Sequence, residues 1–329
     1  MLQSFQVQNF KCLRDVKVDL GPFTVLIGPN DSGKTSILDA LRLLGQTLDA
    51  PWDEVFAGKN RAESLAWRGT PDAPIQWVLR LADAQRSFHY SWTLNPVVEF
   101  GRCGDGYRFS WDRAKSSSPD FPKGSPSTDG WSAHETNLRA TLARPSAPDH
   151  PLLTHIQALM GGLRRLPRYR FDPDALRLPA VSQPDVALSA SGDNLVAVLD
   201  RIISGPDRGR VAGLEEKLQD AVPTLRGIAL RTIDGKTGAK ALEFVLRGAS
   251  KPPLTIPCEH ASDGAMLLTA FLALAYSDDP GMLLIEEPEN GLHPSRLGAV
   301  VDTLRKISTG EIGTRPRQVI LTTHNPLLL

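Results

Sequence analysis

The eight residues Gly28-Pro29-Asn30-Asp31-Ser32-Gly33-Lys34-Thr35 constrain this 329-residue chain more than any other feature. They satisfy the spacing G-x-x-x-x-G-K-S/T. Upstream, KVDLGPFTVLI reads as a strand that ends in a fully apolar run, as buried strands do. Downstream, SILDALRLLGQTL places Ile37, Leu38, Leu41 and Leu44 at helical spacing, with Asp39 and Arg42 on the other face. A glycine loop between a strand and a helix has a physical use. Glycine permits the turns that point successive backbone N–H groups inward, where they cradle phosphate oxygens. The helix start adds partial positive charge. Lys34 brings a point charge to the β- and γ-phosphates, and the Thr35 hydroxyl is an oxygen ligand for Mg²⁺. The residues assigned to the nucleotide are Gly28, Pro29, Asn30, Asp31, Ser32, Gly33, Lys34, Thr35 and Ser36.

A second motif is MLLIEEPENGLHP, residues 282–294. An apolar strand that ends in two acids sets carboxylates at a sheet edge. Adjacent strand residues point to opposite sides, so the acids can do different work. Glu286 is assigned to Mg²⁺, with Thr35, and Glu287 to the base that orients or deprotonates water.

Composition narrows the setting. Lys plus Arg and Asp plus Glu both number 37, which argues against a globally basic nucleic-acid binder. Cys12, Cys103 and Cys258 lie far apart, without metal or disulfide spacing, as fits a reducing cytoplasm. No apolar run reaches the ~18 residues of a membrane span, so no membrane partner is expected. The N-terminus has no apolar signal-peptide core.

Further along, 77–83 and 88–94 read as a hairpin, with 106–112 as a third strand. Residues 113–150 are rich in Ser, Pro and Gly and read as a mobile loop, either a docking loop or a plain insertion. A helix is expected near 152–163, and amphipathic helices over 194–203 and 211–222, separated by Gly205–Pro206. GIALRTID and KALEFVLRG form a hairpin about Asp234–Gly235. A helix over 264–276, the strand MLLIEE, a helix over 297–307 and the strand QVILTTH close the chain. Strands that alternate with helices at both ends indicate a mostly parallel α/β core with a middle insertion.

With these motifs in place, the chain resembles the ABC-type ATPase heads of the SMC/RecF/OLD (overcoming-lysogenization-defect) class, often described as AAA ATPases. Four elements share the family's order: the loop 28–35, Ala-Ser262-Asp263-Gly264 before an apolar helix, the Glu286-Glu287-Pro-Glu run, and Thr-Thr-His324-Asn-Pro. The likeness is strong over 1–45 and 255–329 and weak between them. It implies an α/β fold: a P-loop NTPase core with a mostly parallel sheet, an antiparallel β subdomain and an inserted helical lobe. One head would span 1–329, divided into 1–112 (phosphate loop and antiparallel strands), 113–150 (mobile loop), 151–260 (inserted lobe) and 261–329 (signature, acids and histidine). It implies ATP and Mg²⁺ as cofactors. Ser262 and Gly264 would contact the γ-phosphate on an opposing subunit, and His324 would sense that phosphate. Asn290 to His293 would meet the partner. The family's Mg²⁺-touching glutamine is either Gln183 or Gln157. The signature departs from the transporter form, and the middle holds no sustained heptads, which excludes a long SMC arm.

The implied activity is ATP hydrolysis by a cytoplasmic head that dimerises, or forms a higher homo-oligomer, around ATP. It would gate an effector or a nuclease in trans, in repair or anti-phage defence. Two other readings stay open: an ATP-bound scaffold with negligible turnover, and an ATP-regulated DNA binder. For the last, Arg164, Arg165, Arg168 and Arg170 surround Tyr169 in LRRLPRYRF, which is either a nucleic-acid patch, a solvated face or a set of arginines near the nucleotide.

Overall fold

The computed structural model describes every residue except 51, 83–86, 95–109, 112–160, 165, 249–251, 279–280, 293 and 326–329. Loop 113–150, most of the helix near 152–163, most of strand 106–112, Cys103, Gln157 and His293 therefore lie outside the described residues.

The strands are β1 (Leu2–Phe10), β2 (Leu13–Asp19), β3 (Phe23–Ile27), β4 (Ile75–Ala82), β5 (Ser87–Leu94), β6 (Ser110–Trp111), β7 (Arg168–Tyr169), β8 (Leu225–Asp234), β9 (Ala239–Leu246), β10 (Thr255–Pro257), β11 (Met282–Glu286) and β12 (Gln318–Thr323). The longer helices are α1 (Lys34–Thr47), α2 (Leu195–Ser204), α3 (Arg208–Ala221), α4 (Asp263–Tyr276) and α5 (Pro294–Thr309). They form two compact units, each drawn from two stretches of chain. One is Met1–Gly21 with Asn30–Leu166, and the other is Pro22–Pro29 with Pro167–Leu329.

The first unit holds an antiparallel sheet in the order β2-β1-β4-β5-β6. The expected hairpin is β4 with β5, in register from Ile75↔Leu94 to Ala82↔Ser87. Alternation on β1 buries Phe5 and Val7, and a register shift between Leu2 and Ser4 accompanies the burial of Leu2. Phe10 meets the buried Trp77 edge-on at 5.7 Å between ring centroids. Helix α1 buries Leu38, Leu41 and Leu44 as its spacing predicts. Asp39, expected on the polar face, is buried too. It is held by Lys11 Nζ at 2.6 Å and Arg42 Nε at 3.5 Å, so its charge is compensated.

The second unit is built on a parallel sheet in the order β3-β12-β11-β7. Every residue of β11 and β12 is buried, and each carries an unbroken apolar stretch, Met282–Ile285 and Val319–Leu321, rather than an alternating one. Helix α4, with Ala265 to Tyr276 buried, packs into the same core. A smaller antiparallel sheet, β10-β9-β8, carries the expected hairpin, closed by Gly238 N donating to Asp234 O at 2.9 Å.

The run KVDLGPFTVLI is not one strand. It breaks at Gly21–Pro22 into β2 and β3, which join different sheets. Proline has no N–H to give to a ladder, and Pro22 serves as an acceptor instead, its carbonyl taking Val319 N at 2.8 Å.

Candidate nucleotide-binding and hydrolytic site

Strand β3 delivers Gly28 and Pro29 to the end of the parallel sheet, and the loop continues into α1. Two loop residues adopt left-handed backbone: Asp31 at φ 63° and Gly33 at φ 93°. A methyl on Gly33 would lie 2.8 Å from Leu13 Cδ2 and 3.2 Å from Cys12 Sγ, so glycine is required by space as well as by conformation. Helix α1 begins at Lys34 with no side-chain cap and no acid in its first turn. Its own first turn thus adds no negative charge at the positive end of the dipole, which suits an anion. Lys34 Nζ lies 3.4 Å from Ser32 Oγ, and Asn30, Asp31, Ser32 and Thr35 are exposed.

In the second unit, three parallel strands bring their C-terminal ends to one edge. Glu286 closes β11 opposite Thr322, and Thr323 closes β12 opposite Ile27 of β3. Glu286 turns inward; its side chain is 5% exposed and pairs with Arg168 Nε at 3.3 Å. Glu287 falls just past the end of β11, so the alternation expected for the two acids does not govern it, and its side chain is 22% exposed. It has φ 46°, in the left-handed region that a non-glycine residue enters at a penalty of ~1–2 kcal/mol. Its N–H donates to Thr322 O at 2.9 Å, which anchors that turn. Its carboxylate sits between two basic groups: Arg170 Nη2 donates to Oε2 at 3.2 Å, and His324 Nδ1 lies 3.6 Å from Oε1. Glu289 is buried beneath the histidine. Its Oε1 accepts from Thr323 Oγ1 at 2.5 Å and from His324 N at 3.2 Å, with His324 Nδ1 3.5 Å away.

Ser262 is the N-cap of α4, its Oγ accepting from Ala265 N at 3.3 Å. That bond uses one acceptor site of a hydroxyl that also carries a proton to donate. Ser262 is exposed, and Gly264 follows within the first helical turn.

The donor chemistry fits a magnesium–nucleotide. Taken singly, Thr35 in the first unit carries a hydroxyl and Glu286 in the second a carboxylate, hard oxygen groups of the kind Mg²⁺ prefers. The start of α1, with no acid in its first turn, and the left-handed turn at Gly33 suit phosphate oxygens.

Three participants escape a motif search. Arg168 and Arg170, read above as a nucleic-acid patch, a solvated face or arginines near the nucleotide, pair with Glu286 and Glu287. Tyr169 between them is 1% exposed, a core residue and not a stacking platform. Arg164 pairs with Asp49 Oδ1 at 3.5 Å. The third participant is Glu289. No strand is expected over 168–170 from the sequence, and only the pairing of β7 with β11 shows what the arginines face. Gln183 lies exposed in a loop.

Residues 165–329, just over half of the chain, match the family model described as "AAA domain, putative AbiEii toxin, Type IV TA system". Residues 1–66 match an AAA ATPase domain. An OLD nuclease from Thermus scotoductus is 24% identical over 99% of this chain. The chain spans 59% of that relative's length. Among solved structures, an SMC head bound to the C-winged helix domain of ScpA aligns with TM-score 0.56 at 14% identity, over 99% of this chain and 91% of that one. The SMC head domain from Thermotoga maritima aligns with TM-score 0.51 at 14% identity, over 99% and 90%. No helix among the described residues is long and apolar enough to cross a membrane. The chain belongs to this AAA-domain family and has the fold of an SMC head.

Proposed function

We propose that this chain is a cytoplasmic ATPase head that closes with a second copy around Mg·ATP and so gates an effector. The observation that carries the reading is the shared edge of the parallel sheet, where β3 releases the phosphate loop beside the acids and His324. In this reading Gly28, Pro29, Asn30, Asp31, Ser32, Gly33, Lys34, Thr35 and Ser36 hold the phosphates, and Thr35 and Glu286 hold Mg²⁺. When bound, Mg²⁺ neutralises phosphate charge and polarises the phosphoryl group. Glu287 accepts the proton of the attacking water, with Arg170 and His324 fixing its carboxylate. Glu289 accepts the His324 backbone N–H and so holds the histidine over the site. Ser262 and Gly264 would face the γ-phosphate of the nucleotide on the other copy, the exposed serine donating its remaining proton.

A link to nucleic acid, in repair or in defence against phage, draws on the likeness to an OLD nuclease. A protein effector draws support from the SMC head solved with part of ScpA. The effector is either a nuclease in trans or another partner, and DNA is a further ligand of the assembly.

Light scattering on Glu287→Gln protein tests the reading. Mg·ATP should double its mass, because loss of the base traps the closed dimer. Wild-type protein should turn over ATP, with the variant slowed by ~100-fold or more. A mass that ignores ATP would defeat the dimer mechanism. Lys34→Ala, which removes the phosphate contact, should abolish the mass change in the same background.

A further inference from the structure

We infer that Arg177 is a positioning residue for the face that this head presents to its second copy. The inference rests on the dimer reading above. Arg177 follows the short helical turn Pro173–Leu176, and its side chain is 15% exposed. Three of its nitrogens reach four acceptors. Nη1 donates to Pro173 O at 2.8 Å and Nε to Cys258 O at 3.1 Å. Nη2 donates to Ala261 O at 2.9 Å and to Asp263 Oδ1 at 2.6 Å. The acceptors of Nε and Nη2 flank Ser262 on its N-terminal side and adjoin it on the other.

The geometry assigns a purpose to this arrangement. Cys258–His260 form a single 3₁₀ turn, and the chain is extended at Ala261 before α4 begins. Such a segment has few ladder partners for its carbonyls, and a planar guanidinium satisfies several at fixed angles. Arg177 holds the segment from the protein side, while Ser262 stays exposed on the other. The same stretch of chain also meets the acids and the loop after them. Arg168 and Arg170 grip Glu286 and Glu287. The Pro173 ring backs Gly291, at φ 78°, where an added methyl would come within 3.0 Å of Pro173 Cγ. Arg177 touches none of the phosphate-loop residues in these bonds, so its loss should separate dimer closure from nucleotide binding by one head.

The test uses the Glu287→Gln parent, with dimerisation followed by light scattering over a concentration series in Mg·ATP. Single-head binding is read with N-methylanthraniloyl-ATP at protein concentrations below dimerisation. Arg177→Ala should raise the concentration needed for dimerisation by ~10-fold or more, while analogue affinity stays within ~2-fold. Arg177→Lys keeps the stem and the charge but not the fork, and should recover only part of the loss. Ser262→Arg serves as the reference block to closure. If Ser262→Arg prevents the dimer and Arg177→Ala dimerises like the parent, the proposal fails and the dimer reading stands. If analogue affinity falls together with dimerisation, Arg177 has a general structural role and the proposal fails. If the parent ignores ATP, both the reading and the proposal fail. Should Arg177→Ala not fold, Arg177→Lys decides, and parent-like dimerisation by it overturns the proposal.

Discussion

Gly33 meets two demands that no other residue type satisfies together: φ of 93° and no room for a methyl beside Leu13. Gly33→Ala is therefore expected to lose ~1–3 kcal/mol of stability together with nucleotide binding. Thermal unfolding and analogue titration on one preparation would read both. Lys34→Ala should lose the binding and keep the melting temperature, so unchanged stability in Gly33→Ala would refute the steric account. Residues of this kind are legible in a sequence because phosphate chemistry forces them to be contiguous. Glu286 and Glu287 are legible for a similar reason, at the end of an apolar strand. Arg168, Arg170 and Glu289 are not. Their roles depend on which strand lies beside β11 and on which side chain lies beneath His324, and both are set by pairings distant along the chain.

Helices and strands with a strong period were read within a few residues of their bounds, as α1, α2, α4 and the β8–β9 hairpin illustrate. Short edge strands were not. β7 has two residues and β10 has three, too few for any alternation to register. The division at Pro22 shows the opposite failure, where apolar continuity concealed a change of sheet. At this scale α2 is pinned to β9 by Asp200, whose Oδ1 accepts from Lys240 Nζ at 2.7 Å and whose Oδ2 accepts from Ser182. Burial pushes the Asp200 carboxyl up, but hydrogen bonds from Lys240, Ser182 and Ser204 and the Lys240 charge outweigh it, and the net direction is down. A carboxyl lowered on folding stabilises above its unfolded pKa, and that contribution is lost as pH falls through the folded value. Asp200→Asn should thus destabilise by ~1–2 kcal/mol near neutral pH. The gap between variant and parent should close as denaturation is repeated towards pH 3. A gap that is constant with pH would show that shape, rather than charge, matters there.

At the scale of the whole molecule, the expected single head resolves into two compact units threaded through each other in sequence, because Pro22–Pro29 belongs with residues after 166. Overall class and order of motifs were readable from the two ends of the chain. The grouping was not, since it turns on β3 pairing with β12 rather than with its sequence neighbour β2. Shortening the chain before Gln318 removes the described neighbour of β3, and such a truncation is expected to collect in the insoluble fraction when expressed. Recovery of a soluble, cooperatively unfolding product would refute the idea that this strand pair closes the sheet. The register Phe23↔Val319 also carries a consequence for synthesis. Roughly 300 residues separate the two strands, so on a translating ribosome the apolar run Phe23–Ile27 emerges and then waits ~15–60 s for its neighbour to be made. For that interval the nascent chain carries an apolar strand without its β12 neighbour, a segment on which a chaperone has reason to act.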